Sequence, residues 1–195
     1  SQTCGTEIVE EILRLQQAAW KEITGTPTGH FGFAGLPIDR PSVAELRERL
    51  QDRSPQVRRH AEVMLEIHQR MGRLPESYPM PVQVWRLGPE FSMVFLGGEV
   101  CVEYALRIKR ELGEQTWVSG YCNDVFAYVA PERMRAEGGY EVDFSMIYYL
   151  QPGRWSSGTE DAIIKRVHEL HTGQNLGNPL IPEEAMSSLQ IAPGF

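Results

Sequence analysis

Hydrophobic positions along the chain fall into two rhythms. Ile8, Ile12, Leu15 and Ala19 recur at helical spacing and Thr6 stands where an N-cap would, so residues 6–23 are expected to form an amphipathic helix. Ser42-Val43-Ala44-Glu45 has the capping-box pattern, in which the serine side chain accepts from the backbone and the glutamate reaches back. It should open a short helix ending near Asp52. Ser54-Pro55 starts another, with Val57, Ala61, Met64, His68 and Met71 on its inner face and Gly72 stopping it. Before these two, residues 25–41 contain four Gly and three Pro and read as an extended connection.

Beyond Pro81 the rhythm changes. Residues 82–87 and 91–96 are strand-like runs joined by Gly88-Pro89-Glu90, a hairpin pattern. After Gly97-Gly98, residues 99–112 return to helical spacing through Val102, Leu106 and Ile108, and Gly113 ends the run. Further strands are expected over 116–120 and 125–129. Residues 140–150 alternate Val142, Phe144, Met146 and Tyr148 on one face, as a half-buried strand would. Thr159 starts a last helix ending near Gly173. The sequence of elements predicts one mixed α/β (α+β) domain over residues 1–195: N-terminal helices over 6–73, a mixed sheet with flanking helices over 80–172, and a Pro/Gly/Asn-rich tail over 173–195.

Composition narrows the function classes. The chain has 195 residues, 42% of them hydrophobic and 23% charged, the profile of an ordinary globular protein. Its formal charge of −7 and lack of any Lys/Arg cluster argue against nucleic acid as a partner. No apolar run approaches the roughly 20 residues needed to cross a bilayer, and the opening Ser-Gln-Thr-Cys-Gly is no signal peptide. Cys4, Cys101 and Cys122 are too few for a disulfide framework and leave the compartment open. Ser1 stands where an initiator Met would, which suggests a chain processed or cut from something longer.

Three segments concentrate groups that can do chemistry. In Gly97-Gly98-Glu99, two glycines between a strand and a helix allow a sharp turn and close approach to a ligand. Glu99 is expected in the first helical turn, where the dipole favours its ionised form, either as a cap or as a metal ligand or base. Ser119-Gly120-Tyr121-Cys122-Asn123-Asp124 reads as a polar loop at a strand end, and Glu137-Gly138-Gly139-Tyr140-Glu141 as a second glycine-hinged loop. Tyr128 and Tyr140 could equally pack on the core. Tyr121, Trp117 and Phe126 could line a pocket or fill the core. Cys101 and Cys122 read as structural thiols rather than nucleophiles.

Taken together, Leu96-Gly97-Gly98-Glu99-Val100, the Ser119-Gly120-Tyr121-Cys122-Asn123 loop with Tyr128 beyond it, and Gly139-Tyr140-Glu141 resemble the C-terminal part of the catalytic domain of the neutral/alkaline (non-lysosomal) ceramidases, most clearly over residues 80–145. Gly97 stands in place of that family's usual proline and Val100-Cys101-Val102 in place of its Phe-Thr-Thr, which points to a divergent, bacterial-type branch. The resemblance implies hydrolysis of the amide of N-acylsphingosine, or of a related lipid or small amide, at one zinc ion. It implies Glu99 and Tyr128 as zinc ligands, Tyr140 as the group that binds the substrate carbonyl and its transition state, and Asn123 as a positioning residue. The family's histidine ligands, catalytic serine and carbonyl-binding arginine would lie upstream of this chain. The chain is therefore expected to be an incomplete module that holds zinc weakly or not at all alone. An apolar face left bare by the missing half would invite a homodimer or a partner subunit. The family also suggests a secreted or periplasmic setting.

Other histidines offer no better site. His168-Glu169-Leu170-His171 has a spacing of three rather than the four of the His-Glu-x-x-His zincins, and reads as a surface helix end. Two rival functions stay open beside the hydrolase: a non-catalytic binding or assembly module on the same scaffold, and a glycosidase pairing Glu99 with Asp124 or Glu141.

Overall fold

Period-two burial in antiparallel strands builds the centre of the molecule. The computed structural model describes residues 2–20 and 22–174. Strand β1 (Pro27–Asp39) runs antiparallel to β2 (Ser77–Leu87) over its whole length, and β2 pairs antiparallel with β3 (Phe91–Leu96). Strand β5 (Thr116–Ser119) joins β3 in parallel and β7 (Arg154–Trp155) joins the end of β1, giving the order β5-β3-β2-β1-β7. Mixed pairing with helices on the sheet is the α/β architecture that the alternating rhythms predict.

One face of the sheet carries the core. Ala34, Leu36, Ile38, Met80, Val82, Val84, Val94 and Leu96 are buried there with Tyr104 and Ile108 of helix α4 (Val102–Leu112) and Ile163, Val167 and Leu170 of helix α6 (Thr159–His171). The opposite face is aromatic and bare: Phe31, Trp85 and Trp117 stay 47%, 40% and 62% exposed. A second cluster joins α2 (Val43–Arg49) to α3 (Pro55–Met71) through Leu46, Ala61, Met64 and Ile67. Both starts are capped as the sequence predicts. Ser42 and Glu45 form the reciprocal box, Ser54 accepts from the Val57 amide, and Gly72 closes α3 in the left-handed conformation at φ 74°.

Several expectations are corrected. Residues 25–41 are no connection: most of them form β1, which lies between β2 and β7 in the sheet. Each strand glycine costs roughly 0.5–1 kcal/mol, but burial of a single Leu or Ile gives about 2 kcal/mol, and β1 buries both Leu36 and Ile38. The glycines also make room. A Cβ at Gly32 would lie 2.7 Å from the Arg166 guanidinium, and one at Gly29 would lie 3.1 Å from the indole of Trp85, its cross-strand partner.

The first helix, α1, spans Gln2–Gln16 and runs through Thr6, so no cap forms there; Ile8, Ile12 and Leu15 remain 61%, 50% and 43% exposed. Residues 140–150 are not a strand but a π-helical turn, Tyr140–Phe144, followed by the short helix α5 (Ser145–Tyr148). Glu99 does not open α4. It sits in a two-residue strand, β4 (Glu99–Val100), and of residues 125–129 only Tyr128–Val129 form a strand, β6, parallel to it. In α4 the inward residues are Tyr104 and Ile108, while Val102 and Leu106 face water. The tail over residues 175–195 lies outside the described residues. Among the described residues, no helix is long and apolar enough to cross a membrane.

Gly98, at φ 70°, is a glycine whose replacement should be costly: a Cβ there would meet the Ala127 carbonyl oxygen at 2.9 Å and Val129 Cγ2 at 3.0 Å. We expect Gly98→Ala to lower unfolding stability by about 2 kcal/mol or more. Gly35→Ala, in open space on β1, should leave stability unchanged or raise it by up to about 1 kcal/mol. Urea unfolding of the two variants beside the parent checks both signs.

Candidate functional site

The site is assembled by main-chain bonds between two segments distant in sequence. Leu96 ends β3, and the Gly97 amide donates to the Pro81 carbonyl at 3.0 Å. Gly98 then turns the chain in a conformation that L residues rarely adopt. Its amide donates to the Asp124 carbonyl at 2.7 Å, and its own carbonyl accepts from the Tyr121 amide at 2.9 Å. The Glu99 amide donates to Ala127 at 2.9 Å, and Cys101 to Val129 at 3.2 Å. Residues 121–129 are thereby laid along residues 96–101. Glu99 and Tyr128 become registered partners of a parallel pair, which sends their side chains to the same side.

An aromatic floor holds this loop from below. Tyr78 stacks on Phe126 with centroids 4.1 Å apart, and Trp155 meets both rings edge-on. The Tyr78 hydroxyl donates to the Asp124 carboxylate in a short hydrogen bond. The Trp155 indole N–H donates to the Tyr128 carbonyl at 2.8 Å, and the Gln151 amide donates to the Phe126 carbonyl at 2.9 Å. Buried His60 in turn contacts the Gln151 carbonyl through Nε2 at 2.7 Å. These bonds support Tyr121 and Asn123 at φ 57° and 68°, conformations that cost a non-glycine residue about 1 kcal/mol each.

The third segment arrives through Gly138 and Gly139, both at positive φ. The Gly139 amide donates to the Asp143 carboxylate at 3.0 Å, and Asp143 also faces the Arg154 guanidinium at 3.1 Å. The π-helical turn that follows carries Tyr140 onto Tyr128, with ring centroids 5.7 Å apart at 77°. Tyr148 lies 6.2 Å from Tyr140. Glu99, Tyr128 and Tyr140 thus share one surface, and Tyr121 and Tyr149 close around the same carboxylate.

Electrostatics at this surface are set by Glu99. Hydrogen bonding to that carboxylate, then partial burial, raises Tyr128 well above the ordinary phenol range. The same hydrogen bonding, with a smaller burial effect, raises Tyr121 to about 12. Tyr149 is raised mainly by burial and then by the Glu99 charge. A phenol beside a carboxylate keeps its proton, because losing it would set two negative charges together. The leading charge acting on each of these three phenols is that of Glu99.

Not every sequence candidate joins the cluster. Asn123 is exposed and shapes the loop through its backbone; among the described residues no hydrogen bond ties its side chain to Glu99, Tyr128 or Tyr140. Asp124 spends a carboxylate oxygen on Tyr78, which removes it as a ready second carboxylate for Glu99. Cys101 is raised to about 11 by burial and by the charges of Glu103, Glu141 and Glu99, so it rests as a thiol. His168 binds the Glu111 carboxylate at 2.7 Å while His171 meets the Ser92 hydroxyl at 3.2 Å, so the two imidazoles serve different neighbours. Tyr121, expected to fill the core, is 59% exposed at the site. The left-handed demand of a Gly-Tyr-Cys-Asn turn is the sequence signal that could have placed it there.

The chemistry of the donor set decides how far this surface could hold a metal. Glu99 and Tyr128 offer two oxygen donors, whereas catalytic zinc takes three protein ligands and an open position. Among the described residues no group of three or more His, Cys, Asp or Glu is placed to hold an ion. The donors fit two coordination positions and fall short of a full set. No protein-family model, no curated protein and no solved structure matches the chain.

Two titrations follow from this geometry. Glu99→Gln removes the charge that holds the phenols protonated, so the Tyr121 midpoint should fall from about 12 toward the ordinary value near 10; absorbance at 295 nm across an alkaline titration reads it. His60 is shifted down, chiefly by burial. The folded state therefore refuses a proton that the unfolded chain accepts below about pH 6.5, and stability should fall as pH drops from 7 to 5. Urea midpoints should decline less over that interval in His60→Gln than in the parent.

Proposed function

We propose that the chain is a zinc-dependent amide-hydrolase module of the neutral ceramidase-like kind, acting on N-acylsphingosine or a related lipid amide and completed by ligands outside the described residues. The observation that supports it is the convergence of Glu99, Tyr128 and Tyr140, which local sequence does not require and which the Gly98-centred stitching brings about. In this reading Glu99 and Tyr128 would hold two positions of the metal. Bound zinc would supply an activated water and polarise the amide carbonyl. Tyr140, 49% exposed and keeping its hydroxyl beside Tyr128, is the donor available to a developing oxyanion, a role worth roughly 3 kcal/mol in comparable sites. The bare aromatic sheet face, with Phe31, Trp85 and Trp117 exposed, is a surface on which a completing half or subunit could pack.

A second reading, a non-catalytic binding module on the same scaffold, is favoured by one observation: the two-donor set short of the three that zinc chemistry needs. Calorimetric zinc titration of the whole chain separates the two. The hydrolase reading expects weak uptake in the parent, reduced at least about tenfold in Glu99→Ala and in Tyr128→Phe. Equal uptake by all three proteins would remove both residues from the ligand set and leave the binding module.

A further inference from the structure

Five of the chain's seven tyrosines adjoin Glu99 or one another. The remaining two, Tyr78 and Tyr104, are buried in the core and hydrogen-bonded there. Tyrosines that only pack would share that fate, yet Tyr121, Tyr140, Tyr148 and Tyr149 stay 59%, 49%, 57% and 36% exposed. The rings are also not splayed independently. Tyr140 stands edge-on to Tyr128 at 5.7 Å and tilted against Tyr148 at 6.2 Å, so the rings form one connected group. Beside it lies Glu99, half-buried and in register with Tyr128, with its charge also acting on Tyr121.

We propose that this tyrosine-walled carboxylate binds a cationic alkylammonium group when no metal is present. Two attractions act on the same ligand. The carboxylate supplies a full negative charge that partial burial shields from water, and aromatic faces attract a cation through their quadrupoles. An alkylated ammonium suits the site better than a hydrated inorganic cation, because its apolar shell can lie on the exposed rings while its charge faces Glu99. A neutral ligand of the same shape would gain only the ring contact. An anion is opposed by Glu99 and by the nearby Glu141, whose charges both act on Cys101, while Glu103 is paired with Arg133. The inference concerns the metal-free chain and does not rest on the hydrolase reading. Zinc and the ammonium group would compete for Glu99.

The test is a titration of the whole chain, in buffer containing a chelator, with tetramethylammonium chloride and, separately, with its neutral isostere tert-butanol, followed by tyrosine ring resonances. Saturable shifts of the cluster are expected with tetramethylammonium and not with tert-butanol. Affinity should fall about fivefold or more in Glu99→Gln and in Tyr140→Leu, while Tyr140→Phe, which keeps the ring, should stay near the parent. Tyr148→Leu, at an exposed ring outside the strand pairing, should weaken binding in the same direction without touching the fold. Equal binding of the two isosteres, no saturable binding of either, or full affinity in Glu99→Gln would overturn the proposal. Zinc uptake by the same samples without chelator reports separately. Ammonium binding without zinc uptake defeats only the metal reading, and zinc uptake without ammonium binding defeats only this one.

Discussion

The arrangement of this protein's surface chemistry depends on the main-chain hydrogen bonds between residues 96–101 and 121–129. They span 2.7 to 3.2 Å and include the bonds of the short parallel pair β4–β6. Without them Glu99 would belong to the approach of α4, and Tyr121 and Tyr128 to an unrelated loop. Gly98 is the condition for the bonds to form, since any Cβ at that residue would occupy the space through which the Ala127 carbonyl approaches. A backbone constraint at one residue therefore decides which side chains meet.

That constraint has a second layer beneath it. The Tyr78–Phe126–Trp155 cluster and the bonds from Gln151 and Trp155 to the carbonyls of Phe126 and Tyr128 fix the far side of the loop. Each such bond contributes only about 1 kcal/mol net. Together they offset the cost of holding Tyr121 and Asn123 in left-handed conformations, about 1 kcal/mol each, and the aromatic packing adds to them. The loop is thus anchored on both faces, by backbone above and by aromatic packing below, and the tyrosines project from a rigid support. Reach from α3 through His60 and Gln151 means that the helical hairpin is part of this support.

Legibility in the sequence followed the range of the forces involved. The capped starts of α2 and α3 and the hairpin of β2 and β3 could be read because their signals lie within a few residues of the effect. Strand β1 could not, because its glycines answer to Trp85 and Arg166, partners 56 and 134 residues away (85 − 29 and 166 − 32). The π-helical turn at Tyr140 escaped for another reason: Val142, Phe144, Met146 and Tyr148 alternate like a strand, while the Asp143 contacts to Gly139 and Arg154 that favour a turn are invisible to periodicity. Spaced motifs single out Glu99, Tyr128 and Tyr140 in the sequence, and the structure sets Tyr128 beside both of the others. Tyr121 is marked only by the left-handed turn it occupies, and nothing in their neighbours' chemistry marks Tyr148 and Tyr149 until the segments are brought together.

The state of the phenols bears on what the site can become. Beside the Glu99 charge Tyr128 keeps its proton, and the pair behaves as an acceptor with a bound donor rather than as two anionic ligands. Supplying positive charge inverts that balance, because a cation favours the ionised forms that the carboxylate alone suppresses. A divalent ion and an alkylammonium group would do so to different degrees, the first strongly enough to favour a phenolate and the second mainly through the carboxylate and the ring faces. Under the two proposals the same cluster would serve as a fragment of a metal centre or as an organic-cation site. What separates the two is the charge brought to Glu99, since the backbone frame that gathers the tyrosines is common to both.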